Sequence, residues 1–415
     1  MFSPILALLS LSPLLSYASP AYNSNSPSTS KVSMAWYAGW NANNGFPLSK
    51  VSWSKYTHMT YAFASTTFDG PLDISNSEPA VLPQFVRQAH RNGVKALVSL
   101  GGWTGSRGFS VNVGSAENRT SFVKTVTDFA LKYRLDGLDF DWEYPNSGGI
   151  GCNSINANDT SNFLSFLQKL RQHPVGKRLL LTAAVATVPF IGAEGSSLAD
   201  VSGFASVLDF IAIMNYDLWG PWSATVGPNA PLDDSCAAPE NQVGSATSAI
   251  RRWTEAGIPA TQLVLAVPAY GHSFRVRKAS AFVEGSTTEL APHPVFDNSD
   301  RPTGDSWDDG AGVDVCGNAQ LPGGNINFWG MVEHGFLNAD GTPKEGAPFR
   351  YDECSQTAYS YNVTTEIMVS FDNAQSFAAK GNFIKTKELR GFAIWQAGGD
   401  TDDILLDAIK STMGN

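Results

Sequence analysis

The stretch of residues 136–145 constrains the fold of this chain more than any other, because it places four carboxylic acids within eight residues. The last three, Asp139, Asp141 and Glu143, are spaced two apart with apolar residues between them, which is the period of a β-strand. The three acids would therefore share one face of the strand. The apolar opposite face predicts a strand buried on both sides, with the acids directed into a polar centre.

Acids on one face of a strand stand only about 7 Å apart, so each disfavours ionisation of the next. This arrangement suits a general acid with a raised pKa. Two other interpretations are a solvated acidic strand and a cation site. The interleaved Phe140 and Trp142 argue against a solvated face, and a calcium loop needs flexible spacing with backbone ligands. The sequence thus favours a catalytic site.

The pattern Asp-x-x-Asp-x-Asp-x-Glu resembles the signature of family 18 glycoside hydrolases, the chitinases. Two further motifs of that family recur in order along the chain. Ser99-x-Gly-Gly ends one predicted strand, where glycines allow close approach of the backbone. Met214-x-Tyr216-Asp217 ends another. Polar residues at the carboxyl end of an apolar run indicate a site rather than core.

Strands and amphipathic helices alternate along the chain, which predicts parallel βα units. Between residues 271 and 366 this rhythm fails, and a structureless loop of that length is improbable. We therefore predict an α/β fold, a (β/α)8 TIM barrel with a small α+β insertion domain between strands 7 and 8, as bacterial-type chitinases carry. The predicted boundaries are 1–19 for a secretory signal peptide, 20–31 for a flexible leader, 32–270 and 367–415 for the barrel, and 271–366 for the insertion.

Composition limits the environment and the partners of the chain. An apolar run over residues 5–17 is too short to span a bilayer and predicts secretion, although no Lys or Arg precedes it. An even number of cysteines and three sequons, at Asn118, Asn158 and Asn362, fit a secreted, extracellular protein. A net charge of −10 argues against nucleic acid and anionic membranes as partners. We expect a monomer.

The resemblance assigns roles to individual side chains. Glu143 would be the general acid and later the base, while Asp141 would hold the substrate's acetamido N–H and share a proton with Asp139. Tyr216 would bind the acetamido oxygen, and Asp136 would be structural. Phe63 is placed by its position near a strand end, and the other predicted substrate-binding residues match positions that line the family's cleft: Tyr37, Trp103, Met214, Asp217, Trp222, Tyr270 and Trp395. His272 departs from the family, which commonly has Arg there.

The implied activity is hydrolysis of β-1,4 bonds in chitin or chitin oligosaccharides by a retaining, substrate-assisted mechanism. Alternatives are an endo-β-N-acetylglucosaminidase acting on N-glycans and a catalytically weak chitin-binding lectin on the same fold. The six histidines show no metal spacing and no phosphate loop is present, so we expect no metal and no cofactor. For the cysteines we predict Cys316–Cys354 as a staple within the insertion and Cys152–Cys236 between two barrel loops.

Overall fold

The predicted barrel is present in the computed structural model, which describes residues 31–414. Eight parallel strands pair in chain order, and the first strand pairs with both the second and the last, so the ring is closed. Barrel strands 1 to 8 are Val32–Ala38, His58–Thr66, Lys95–Gly101, Gly137–Asp141, Leu180–Val185, Phe210–Met214, Leu263–Pro268 and Gly391–Trp395.

Alternation along the strands divides the apolar residues into two layers. Residues such as Met34, Trp36 and Ala62 point into the barrel and form an inner cluster. Their neighbours Ala35 and Tyr37 belong to a larger cluster between the barrel and its helices. The strands are nearly continuous apolar runs because both of their faces are covered.

Helices surround the barrel, and the longest shows why the chain folds as it does. Ser115 caps the helix Ala116–Tyr133 by accepting the backbone N–H of Asn118. Its buried face packs on the barrel, and Arg134 ends it in the left-handed region, directly before the acid-bearing strand. The α-helices are Leu82–Arg91, Phe109–Val113, Ala116–Tyr133, Asp159–Gln172, Ser202–Ala205, Ala246–Glu255, Lys278–Ala281, Phe328–Glu333, Ala374–Thr386 and Ile404–Thr412.

The insertion is built on an antiparallel sheet of five strands, in the order Asn325–Asn327, Tyr270–Arg275, Ile367–Phe371, Thr357–Asn362 and Phe349–Asp352. A separate small hairpin pairs Gly312–Val313 with Ala319–Gln320, and Leu72–Asp73 adds a short strand beside barrel strand 2. The boundary predicted at residue 367 is wrong, because Ile367–Phe371 pairs with two insertion strands. A strand followed by the helix Ala374–Thr386 has the pattern of a barrel unit, which explains the error.

Both predicted disulfide pairings are wrong. Cys152 is bonded to Cys316 and Cys236 to Cys354. Each bond joins the insertion to a loop of the barrel, one after strand 4 and the other after strand 6. The insertion sheet closes on buried residues of its own, such as Phe274 and Tyr361, so its cysteines are available to fix it to the barrel.

Three further predictions concern the ends and the surface of the chain. The predicted signal, 1–19, and the leader up to residue 30 lie outside the described residues. Within residues 31–414, no helix is both long and apolar enough to cross a membrane. Two of the sequon asparagines, Asn118 and Asn158, are exposed, and Asn362 is partly exposed; their glycosylation stays a prediction.

Candidate active site

Asp139 lies at the centre of the barrel, fully buried and held by three donors. The strand register places Ser99 and Thr182 directly beside it on the neighbouring strands. Ser99 Oγ lies 2.8 Å and Trp36 Nε1 3.0 Å from one carboxylate oxygen, and Thr182 Oγ1 lies 2.6 Å from the other. Burial raises the pKa of Asp139, while the three hydrogen bonds oppose that shift.

Asp141 is the next acid along the strand and differs from Asp139 in its partners. It is buried, and its Oδ1 has no hydrogen-bond partner in the described chain. Burial, then the charges of Glu143 and Asp139, raise its pKa well above the usual value. A buried acceptor without a donor is costly. Asp141 therefore offers a hydrogen-bonding position for a ligand.

Glu143 follows two residues after the end of strand 4 and is partly exposed. Burial raises its pKa to about 8; a hydrogen bond from Tyr144 opposes the shift and the charge of Asp217 adds to it. At neutral pH this carboxyl group is mostly protonated. It is the kind of group that donates a proton to a leaving group.

The backbone around Glu143 is fixed from two sides. Ser106 Oγ accepts the N–H of Glu143 at 3.0 Å and donates to the carbonyl of Asp141, and Asn153 Nδ2 donates to the carbonyl of Glu143 at 2.8 Å. Gly101 has φ +104°, and a Cβ added there would lie 2.2 Å from the carbonyl oxygen of Asp141. Only glycine fits, as the Ser-x-Gly-Gly motif predicted.

A second polar group faces the acids from strands 6 and 7. Asp217 has φ +57°, and its Oδ1 lies 2.6 Å from Tyr270 Oη and 2.8 Å from His272 Nε2. Burial, with nearby carboxylates, raises the pKa values of Tyr216 and Tyr270, so both hydroxyls stay protonated and can donate. His272 is 3% exposed, and its ring is nearly perpendicular to that of Trp222, with centroids 5.4 Å apart. It therefore belongs to this group and is not a surface residue.

Aromatic rings line the mouth above the acids. The ring of Phe63 stacks on Trp395, with centroids 5.4 Å apart, and on Trp40 at 6.1 Å. Trp103 and Trp222 are 49% and 60% exposed. Large exposed indole rings in an acid-lined cleft provide faces on which sugar rings stack.

Two predicted residues lie elsewhere. Tyr37 does not reach the cleft: it is fully buried in the outer layer, and its hydroxyl donates to the carbonyl of Phe46. The inward neighbour, Trp36, takes its place and bonds to Asp139. Asp136 lies at the start of strand 4, where it accepts the N–H of Ala96 and pairs with His90 and Lys95.

The structure places the other predicted residues around one cleft, except that Met214 belongs mostly to the inner cluster beneath it. Four contributors received no role in the sequence analysis, although Ser99 and Trp40 stand in motifs of the resemblance: Trp36, Trp40, Ser99 and Thr182. The signal that could have found Ser99 and Thr182 is that each is a polar residue inside an otherwise apolar strand next to the strand of the acids. Within residues 31–414 no group of three or more His, Cys, Asp or Glu side chains is arranged to hold a metal ion.

The chain is similar to proteins of one family over most of its length. The profile of "Glycosyl hydrolases family 18" matches residues 32–400. A protein named "chitinase-like effector" from Moniliophthora roreri is 56% identical over 383 residues, covering 92% of this chain and 93% of that protein. One of the same name from Moniliophthora perniciosa is 53% identical, covering 94% and 89%. A crystal structure of a chitinase from Rhizomucor miehei superposes with a TM-score of 0.82 at 33% identity, covering 93% of this chain and all of that one.

Proposed function

Because the chain belongs to glycosyl hydrolase family 18, and all four acids of the signature are in place, we propose that it hydrolyses β-1,4 bonds between N-acetylglucosamine units of chitin. The observation that carries the proposal is the pair formed by Glu143 and Asp141. One is a partly exposed acid that is protonated at neutral pH, and the other is a buried carboxyl with an unpartnered oxygen. The Rhizomucor relative, named as a chitinase, supports the choice of substrate.

In the proposed first step Glu143 gives its proton to the glycosidic oxygen, and the bond from that oxygen to the anomeric carbon breaks. The acetamido oxygen of the same sugar forms the new bond to that carbon, because neighbouring acids on one strand are poorly placed to attack it. Asp141 accepts the acetamido N–H with its free oxygen, and Tyr216 donates to the acetamido oxygen. Intramolecular attack gains a large effective molarity.

In the second step Glu143, now a carboxylate, takes a proton from water. The water oxygen bonds to the anomeric carbon and the acetamido oxygen leaves, so the β-configuration is retained. Asp139 lies beneath the developing cation. Because burial raises its pKa, it can share a proton with Asp141, so that Asp141 can carry negative charge beside the acetamido group. The test is to follow the first product of chitin oligomers by NMR. An α-anomer, or fast cleavage of fully deacetylated chitosan, would contradict the mechanism.

A second candidate function is binding of chitin oligosaccharides without turnover. Two relatives above 50% identity carry the word "effector" in their names, and an exposed indole-lined cleft can retain a sugar chain. Multiple turnovers of a chitin hexamer by wild type, absent from Glu143→Gln, would favour the enzyme. Equal binding by both proteins without products would favour the lectin-like alternative. Release of N-glycans from a glycoprotein would favour the endoglycosidase.

We also propose that the protein acts outside the cell. Two disulfides join distant segments, which is typical of proteins from oxidising compartments. Sequencing the N-terminus of the secreted protein and measuring its mass before and after deglycosylation test this. Retention of the full chain inside expressing cells would contradict it.

A further inference from the structure

A hairpin of the insertion, residues 309–323, projects from the rest of that domain and is called the strap below. Its base is closed by the N–H of Gly323 donating to the carbonyl of Asp309, and its tip by a turn around Asp314. Cys316 lies in that tip and is bonded to Cys152. The strap therefore reaches the loop that follows barrel strand 4.

The order of strands around the barrel shows what this bond spans. The insertion leaves the ring between strands 7 and 8, and strand 4 lies opposite strand 8, four positions away in either direction. The two Cα atoms of the bond are nevertheless 5.6 Å apart. The strap thus joins opposite sides of the barrel mouth. The site lies between these sides, with Glu143 after strand 4 and Trp395 at the end of strand 8.

The apolar side chains of the strap are largely exposed. The side chains of Val313, Val315 and Leu321 are 70%, 48% and 47% exposed. A hairpin lying along the loops after strands 5 and 6 would bury apolar side chains against them. These apolar side chains are therefore largely not buried against the barrel loops, which is consistent with a segment that crosses an open mouth.

The loop that contains Cys152 and holds the tip of the strap is fixed by contacts close to Glu143. Asn153, next to Cys152, donates to the carbonyl of Glu143, and a Cβ added to Gly149 would lie 2.0 Å from that carbonyl oxygen. The loop between Glu143 and Cys152 is therefore tightly folded. The strap is held at one end by this loop and at the other by the insertion sheet.

We propose that the strap and the Cys152–Cys316 bond turn the cleft into a covered passage, which polysaccharide chains enter by an end. This rests on the proposed function. A polysaccharide chain cannot enter from the side when the cleft is covered by a covalently closed segment. Sugars with bulky substituents would also pass through the passage poorly. The preferred substrates are unbranched, unsubstituted chitin chains with free ends, and short oligomers.

The other disulfide provides a matched control. Cys236 follows strand 6 and Cys354 lies in the insertion, which begins at the adjacent strand 7. This bond joins neighbours on one side of the mouth and crosses nothing. Cys152→Ser/Cys316→Ser should open the passage, and Cys236→Ser/Cys354→Ser should not, although both remove one bond from the same domain.

The experiment uses glycol chitin, a soluble polymer with substituents along its length, and a chitin tetramer. For wild type and the control pair, we expect the viscosity of glycol chitin to fall slowly for each reducing end released. For Cys152→Ser/Cys316→Ser we expect the viscosity to fall several-fold more for each reducing end released. The rate of tetramer cleavage should stay close to that of wild type. The same loss of viscosity per reducing end in all three proteins would overturn the proposal.

Two additions keep the test decisive. If the serine pair folds poorly, a variant with residues 311–321 replaced by two glycines, together with Cys152→Ser, removes the roof by another route.

If wild type fails to cleave the tetramer, the proposed function fails. The passage is then tested by affinity, since opening the strap should strengthen binding of glycol chitin several-fold and leave tetramer binding unchanged. Unchanged binding of both ligands would overturn it.

Discussion

Raising the pH should remove the catalytic proton from Glu143 in a range set by its surroundings. With a pKa of about 8, this carboxyl is roughly 99% protonated at about pH 6 and roughly 9% at about pH 9. A glutamate with an ordinary pKa would be only a few per cent protonated at about pH 6. We therefore expect kcat/KM to hold a plateau up to about pH 7.5 and to fall about tenfold by pH 9.

The assay measures initial rates on a chitin tetramer between about pH 5 and pH 9.5, with folding checked by circular dichroism at each pH. Glu143→Gln is the control: its residual rate should be lower by at least about 10²-fold and should lack this alkaline fall, because an amide does not titrate in this range. A wild-type rate that falls between pH 4 and 6, or stays flat to pH 9.5, would refute the assignment of Glu143 as general acid.

Protonation of Glu143 also affects the stability of the folded protein. Since burial raises the pKa of Glu143 above its unfolded value, the folded state binds more protons than the unfolded state between the two values. Its contribution to the free energy of unfolding is fully present below the unfolded pKa and is lost as the pH rises through about 8. Glu143→Gln should therefore weaken the loss of stability with rising pH across this window, as measured by urea unfolding.

Three further changes test other parts of the site and the fold. Asp141→Asn should lower kcat on the tetramer about 10²-fold, because the amide no longer stabilises positive charge on the acetamido group; an unchanged kcat would contradict its role. His272→Arg should move the alkaline fall of kcat/KM to lower pH, because a fixed positive charge would offset the carboxylate that raises the pKa of the general acid; an unchanged profile would contradict the contact. Lys380→Met should cost about 3–5 kcal/mol in urea unfolding, because it leaves the fully buried Asp372 without its partner, whereas the same change at the exposed Lys124 should cost little.

The sequence predicted most of the barrel because the spacing of acids and glycines follows directly from the geometry of its strands. Asp139 and Gly101 occupy positions that few other residues could fill. Tyr37 was placed wrongly for a physical reason. A strand that is apolar on both faces carries no alternation from which to read which residue points inward, and here that residue is Trp36.

The pairing of the cysteines could not be read from the sequence either. Four cysteines allow three pairings, and the one observed depends on which barrel loops the insertion reaches in the folded chain. The strand Ile367–Phe371 shows a similar limit, since a strand that precedes a helix has the same local pattern in a barrel and in an antiparallel sheet. Long-range pairing decides between the two.

The two disulfides also determine how the protein can mature. They close segments of 164 and 118 residues, so random encounter of the right thiols in an unfolded chain is entropically costly. Correct pairing is favoured only after the insertion has docked on the barrel and brought the thiols together. Correct disulfide formation therefore follows docking of the insertion. Chains that oxidise before docking would be trapped with incorrectly paired cysteines. Oxidative refolding should depend strongly on a thiol–disulfide shuffling agent.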